Sequence, residues 1–126
     1  MISFLAVGIG GAFGAIARYS ISLAMPKFDA AIGWPWQTFI ANLAGSLLIG
    51  LLVAMFFVSG KLGDGWRLFL AVGLLGGFTT FSTFSLEAMQ LVQAGRPAAA
   101  VGYVAVSAVA CPVMCWIGWT FGRGVS

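Results

Sequence analysis

The sequence predicts an all-α integral membrane protein with four transmembrane helices, of which the third is broken. Three observations lead to this fold class. Hydrophobic residues make up 61% of the 126 positions and charged residues only 7%, a composition too apolar for a soluble globule. The chain contains four apolar runs, each long enough to cross about 30 Å of hydrocarbon. The third run includes a glycine-rich and hydroxyl-rich segment, which a helix surrounded by lipid avoids.

The apolar runs follow one another with short loops between them. The predicted spans are residues 2–25, 36–58, 66–92 and 98–121. Trp34 and Trp36 introduce the second span, as expected for amphipathic rings at the level of the lipid headgroups. Neighbouring helices joined by such short loops must run antiparallel. Since no stretch is left for a soluble domain, residues 1–126 are expected to form a single four-helix transmembrane domain.

Lysine and arginine are spread evenly over the two sides of the predicted membrane. Each side carries three of them, Lys61, Arg67 and Arg123 against Lys27, Arg96 and Arg18. The positive-inside rule therefore gives no orientation, although so small a count can balance by chance. Insertion in both orientations would make an antiparallel, dual-topology homodimer the natural oligomer. Glycine pairs at four-residue spacing would permit close helix contacts in such a dimer.

Composition argues against several other classes of protein. The net charge of +3 is spread along the chain, without the basic cluster that nucleic acid requires. The chain has no histidine, and Cys111 and Cys115 lie in an apolar segment without other candidate ligands. Neither a zinc site nor a disulfide framework is predicted. No nucleophile and base occur in a catalytic arrangement, so the sequence does not predict an enzyme.

Polar side chains recur every four residues in two of the spans. They are Thr38, Asn42 and Ser46 in the second span, and Tyr103, Ser107 and Cys111 in the fourth. Each stripe either joins two helices or lines a polar path. Two charged residues also lie within spans, where charge is costly. Arg18 is expected to reach an interface or donate to exposed carbonyls, and Glu87, which lies near the end of its span, is expected to reach water.

The third span contains the segment that departs most from a regular membrane helix. Gly76 and Gly77 precede two threonines, and both residue types favour the helix weakly. A break here would expose backbone carbonyls that suit a monovalent cation, and a dimer axis would double their number. Phe81 and Phe84 follow on one side of the helix. Their positive ring edges could meet an anion, and ordinary packing is the alternative.

Taken together, these segments resemble the Fluc (CrcB) family of fluoride channels. The resemblance is carried by residues 10–19 (GGAFGAIARY), residues 42–45 (NLAG) and residues 76–84 (GGFTTFSTF). It covers almost the whole chain. The resemblance implies a dual-topology antiparallel homodimer in the bacterial plasma or inner membrane, with two pores through which fluoride leaves the cytoplasm passively.

The resemblance also implies roles for individual residues. The fluoride pore would be lined by Asn42, Phe81, Ser82, Thr83, Phe84, Glu87, Tyr103 and Ser107. A structural sodium ion would lie on the dimer axis, held by the backbone carbonyls of Gly76 and Thr79 from both subunits. Arg18, within the first matching segment, keeps the structural role inferred from its position near the end of a span.

Two other functions fit four short spans. A small dual-topology multidrug exporter would couple drug movement to protons through an acidic residue in the membrane, and the first span has no such residue. A membrane scaffold without transport would need only the glycine pairs. Flux measurements in liposomes separate the three functions.

Overall fold

The structure, a computed structural model that describes residues 1–125, consists of helices joined by short connections. The helices are α1 (Ile2–Ala24), α2 (Trp36–Phe57), α3 (residues 64–78), α4 (Phe81–Gln93) and α5 (Pro97–Val125). Two stretches have the wider π winding, Val53–Phe57 at the end of α2 and Leu68–Leu75 in the middle of α3.

These helices provide four segments long and apolar enough to cross a membrane, because α3 and α4 together form the third, Asp64–Gln93. The observed bounds lie within a few residues of the predicted ones. The end of the fourth span is the exception, because α5 continues to Val125 and the predicted span ends at residue 121. The outer surface carries large apolar side chains such as Phe4, which is 84% exposed, as expected for contact with lipid. The chain is a multi-pass membrane protein.

The helices associate as two pairs. The first pair is α1 against α3, and the second is α2 against α5, with α4 leaning on α5. Glycine permits the close approach in both pairs. A Cβ atom on Gly73 would lie 2.8 Å from the carbonyl oxygen of Val7, and one on Gly118 would lie 2.9 Å from the backbone nitrogen of Leu51. Backbone atoms cannot move aside as a flexible side chain can, so larger residues would separate the helices.

This packing corrects one expectation from the sequence. The glycine pairs at four-residue spacing were expected to serve contacts between subunits. Instead all of them face a neighbouring helix of the same chain, α1 against α3 for Gly10, Gly14, Gly73 and Gly77, and α5 against α2 for Gly118 and Gly122. The physical reason is that a small-residue stripe specifies close approach without specifying the partner helix.

The loops at one end of the bundle are tied by side-chain hydrogen bonds to backbone carbonyls. Arg96 Nη1, just before α5, donates to the carbonyl oxygens of Ala30 at 3.0 Å and Gly33 at 2.7 Å. Gln37 Nε2 donates to the carbonyl oxygen of Pro26 at 2.7 Å. The connection between α1 and α2 is therefore held against the start of α5, on the end of the bundle nearest the buried site described next.

Candidate functional site

The backbone leaves the helical conformation between α3 and α4. Thr79 and Thr80 are extended, with φ and ψ of −83° and 156° and of −152° and 125°. Thr80 then acts as the N-cap of α4, because its Oγ1 accepts a hydrogen bond from the backbone nitrogen of Thr83 at 3.2 Å. Threonine is among the side chains that satisfy such exposed N–H groups. The chain thus restarts its helix within the apolar part of the third span.

Asn42 on α2 holds this extended segment from the side. Its Nδ2 donates to the carbonyl oxygen of Thr80 at 3.1 Å, and its Oδ1 accepts from the backbone nitrogen of Thr80 at 2.9 Å. An amide nitrogen carries two N–H groups, and the Thr80 carbonyl takes one of them. Gly45 lies one turn further along α2, where a Cβ atom would overlap the methyl group of Thr79. Close packing and paired hydrogen bonds therefore fix α2 to the segment.

These hydrogen bonds divert two N–H groups from their helical acceptors. In a continuous helix the N–H of residue 80 would bond to the carbonyl of Gly76, and that of residue 83 to the carbonyl of Thr79. Here they bond to Asn42 Oδ1 and Thr80 Oγ1. The nearby carbonyl of Gly77 accepts from Arg18 Nε at 3.4 Å. Of the two roles expected for Arg18, the structure has it donate to a carbonyl.

A cavity of about 580 Å³ lies beside the extended segment, between α2, α3, α4 and α5. Six of the site residues predicted from the sequence line it, namely Asn42, Gly76, Thr79, Phe81, Phe84 and Ser107. The Phe81 and Phe84 rings have centroids 5.3 Å apart. Ser107 is 7% exposed, and its Oγ has no hydrogen-bond partner within residues 1–125. The residues that line the cavity are mostly apolar, and the polar ones are Asn42, Ser46, Thr79, Thr80 and Ser107.

The other predicted pore residues are not among those that line this cavity, and they form two groups. Ser82 and Thr83 surround the Thr80 hydroxyl, with oxygen–oxygen distances of 3.2 Å and 3.3 Å. Tyr103 and Glu87 form a separate buried cluster between α4 and α5. The Tyr103 ring connects the two regions, since its centroid lies 5.0 Å from that of Phe84.

Glu87 does not reach water, contrary to the expectation from its place in the span. It is 7% exposed. Its Oε1 accepts from Thr38 Oγ1 at 2.7 Å, and its Oε2 accepts from Tyr103 OH at 2.8 Å. Glu87 does lie near the end of the third span, as predicted, but α2 and α5 cover that side of α4. The Trp34 ring also packs on Tyr103, with centroids 5.4 Å apart. Burial by neighbouring helices cannot be read from one span alone.

Comparison with known proteins shows the family to which the chain belongs. The family model described as CrcB-like protein, Camphor Resistance (CrcB), matches residues 5–119. The chain belongs to the CrcB family. Relatives in this family carry the name fluoride-specific ion channel FluC. The protein of that name from Methylobacterium nodulans is 46% identical over 110 residues, covering 87% of both chains.

Two further relatives extend over nearly the full length. FluC from Chloroflexus aurantiacus is 44% identical over 124 residues, which is 98% of this chain and 97% of the relative. FluC from Sphingopyxis alaskensis is 44% identical over 119 residues, with 94% and 93% covered. The resemblance found in residues 10–19, 42–45 and 76–84 is thereby confirmed at the level of the family.

The structure also adds two residues that the sequence did not assign to the site. Thr80 is clamped by Asn42 and caps α4, and Thr38 donates to Glu87. The sequence contained a signal for each of these two residues. Thr80 is the last residue before an apolar helical run, where a hydroxyl favours an N-cap. Thr38 shares the polar stripe of Asn42 on α2, but the stripe alone does not say which acceptor it meets.

Proposed function

We propose that this protein is a fluoride-selective passive ion channel that lets cytoplasmic fluoride leave the cell. The observation that carries the proposal is the cavity in which neutral hydroxyl and amide groups stand beside two phenyl rings, within four membrane spans. Membership of a family whose relatives are named fluoride-specific ion channels supports the same choice of ion.

The chemistry of the site suits a small, strongly hydrated anion. Such an ion must exchange water for other donors as it enters a narrow path. The second N–H of Asn42 and the hydroxyls of Ser82, Thr83 and Ser107 are neutral donors. Phenyl edges carry partial positive charge and exclude water. Conduction needs sites that are several and weak, so neutral donors serve better here than a ring of lysine or arginine.

We place the path from the cavity, past Asn42, along Phe81 and Phe84, to the buried cluster at Glu87. The Tyr103 ring packs against Phe84 and its hydroxyl reaches Glu87, which supports continuity between the two regions. Since the carboxylate accepts the hydrogens of both Thr38 and Tyr103, its role in the proposal is to orient these hydroxyls.

We further propose that the functional unit is an antiparallel, dual-topology homodimer with two pores. The even distribution of lysine and arginine over the two sides supports insertion in both orientations. Phe81 supports a second copy in another way. Its ring borders the cavity and yet is 79% exposed on a single chain, so a partner in the opposite orientation would complete the wall there.

The residues at the interrupted helix fit a structural sodium ion. The N–H groups that would serve the Gly76 and Thr79 carbonyls are bonded elsewhere, and neutral carbonyl oxygens are suitable ligands for a hard monovalent cation. We propose that Gly76 and Thr79 from both subunits hold the ion. It would supply positive charge between two anion paths, while Asn42 and Thr80 keep the extended backbone in place.

The proposed function is tested by ion efflux from liposomes that contain the purified protein. Fluoride efflux should be rapid when an ionophore for a cation balances the charge, and chloride efflux should stay at the level of protein-free liposomes. Equal efflux of the two anions would contradict a selective pore. Drug transport driven by a proton gradient, without fluoride efflux, would favour the exporter.

The sodium proposal needs a separate measurement. Exchange of sodium for a large organic cation on both sides should slow fluoride efflux over time and lower the thermal stability of the dimer. Restoring sodium without a gradient should recover both. Unchanged efflux and stability after thorough removal, or a need for a sodium gradient, would contradict a structural ion.

A further inference from the structure

The chain has two cysteines, and they differ in their surroundings. Cys111 and Cys115 both lie on α5, are half-buried, and carry free thiols. Cys111 lines the cavity beside the interrupted helix. Cys115 is not among the cavity residues, and the backbone at Cys115 packs on α2, where a Cβ atom on Gly50 would overlap its carbonyl oxygen. Cys111 therefore lies at the cavity, and Cys115, which does not line it, serves as the control.

Two oxygen atoms accompany the Cys111 thiol within one turn of α5. Pro112 lies inside the helix, and proline has no N–H to give to the carbonyl four residues earlier. That carbonyl belongs to Ala108, which also lines the cavity. Ser107, one turn before Cys111, is buried, with 7% of the residue exposed. Its hydroxyl oxygen has no hydrogen-bond partner in the part of the chain described.

Two members of this group, the Cys111 thiol and the Ala108 carbonyl, have no role in the proposed passage of fluoride. A carbonyl oxygen is an acceptor only, and a thiolate is negative, so neither helps an anion. Both are ligands for cations, and thiolate sulfur selects soft ones. The combination differs from the carbonyls of Gly76 and Thr79, which contain no sulfur and suit a hard ion.

We propose that Cys111, with the Ala108 carbonyl and the Ser107 hydroxyl beside it, forms a binding site for a soft, thiol-seeking cation such as Ag⁺. Binding forms a sulfur–silver bond and releases the thiol proton to water, with no change of oxidation state. The bound cation occupies part of the cavity that Cys111 lines and obstructs the path. Obstruction rests on the proposed conduction of fluoride, whereas binding does not.

The test compares the parent with Cys111→Ser and Cys115→Ser in liposomes, using silver nitrate in chloride-free buffer. Ag⁺ should slow fluoride efflux about tenfold or more in the parent and in Cys115→Ser. Efflux through Cys111→Ser should change by less than about twofold. Dithiothreitol, which competes for silver, should restore efflux. Equal block of Cys111→Ser, or loss of block only in Cys115→Ser, would overturn the site.

A third variant tests the carbonyl. Pro112→Ala restores an N–H to residue 112, and this N–H can bond to the Ala108 carbonyl. More Ag⁺ should then be needed for half-maximal block, by about fivefold if one neutral oxygen ligand is lost. An unchanged concentration would remove the carbonyl from the site and overturn the proposal as stated.

A measurement without flux separates this proposal from the proposed function. Methyl methanethiosulfonate transfers a methylthio group to a thiolate, forming a disulfide and releasing methanesulfinate. Peptide mass spectrometry of the purified protein should show Cys111 labelled, and Ag⁺ should protect it. Protection in a protein that does not conduct fluoride would support the site and contradict the channel. A Cys111 that Ag⁺ fails to protect would overturn the site even in a conducting protein.

Discussion

Replacing Asn42 with aspartate changes one of the two side-chain atoms that form hydrogen bonds with Thr80 in the extended segment. Asn42 Oδ1 accepts from the Thr80 N–H, and an aspartate oxygen can do the same. The Nδ2 atom, which donates to the Thr80 carbonyl at 3.1 Å, becomes an oxygen without a hydrogen. The substitution therefore removes the donor from the Thr80 carbonyl and places a negative charge on the wall of the cavity.

The two consequences differ in magnitude. An unpaired buried carbonyl costs about 1–3 kcal/mol of folding free energy. An anion passing about 4 Å from an ionised carboxylate meets a repulsion of about 4 kcal/mol at an effective dielectric constant of about 20. Each 1.4 kcal/mol on a barrier is about tenfold in rate, so fluoride flux should fall about a thousandfold. Repulsion of the anion is the larger effect.

Asn42→Ala separates the charge from the lost donor. It removes both hydrogen bonds to Thr80 without adding charge, and the loss of one neutral donor worth about 1 kcal/mol should lower flux by about fivefold. Ser46→Ala is the matched control, because Ser46 lies one turn along α2 on the same cavity. Efflux of fluoride from liposomes, normalised to folded protein by size-exclusion chromatography, is the measurement. Equal flux through Asn42→Asp and Asn42→Ala would refute the placement of Asn42 on the anion path.

Four other substitutions test the rest of the site and its support. Phe81→Ile and Phe84→Ile should each lower fluoride efflux at least about tenfold, because the positive ring edges are lost while an apolar side chain remains. The dimer should stay intact on size-exclusion chromatography. If both variants conduct like the parent, the rings serve only in packing. Gly45→Ala should lower both efflux and melting temperature, because its methyl group would overlap the methyl group of Thr79. Gly8→Ala is the control and should match the parent, since there is open space around Gly8. Arg96→Ala should lower the free energy of unfolding by about 1–3 kcal/mol, because two loop carbonyls lose their hydrogen-bond donor. The melting temperature should fall, while efflux per folded channel stays unchanged. An unchanged melting temperature would show that the loop does not depend on these hydrogen bonds.

Some properties of this protein follow from the sequence alone. The four spans can be predicted because hydropathy adds up over a local window, and the thickness of the hydrocarbon sets the length required. Membership of the family can also be predicted, since residues 10–19, 42–45 and 76–84 occur in order along one chain. The polar stripe of Asn42 and Ser46 on α2 needs only the period of the helix to be seen.

Contacts between distant segments were decided only by the tertiary structure. The hydrogen bonds between Asn42 and Thr80 join residues 38 positions apart, and those of Glu87 with Thr38 and Tyr103 join three helices. The sequence marks each of these residues as polar within a span, but not which one satisfies which. A buried polar group must find a partner, and helix packing alone selects it. The burial of Glu87, for which the sequence predicted contact with water, is the clearest case.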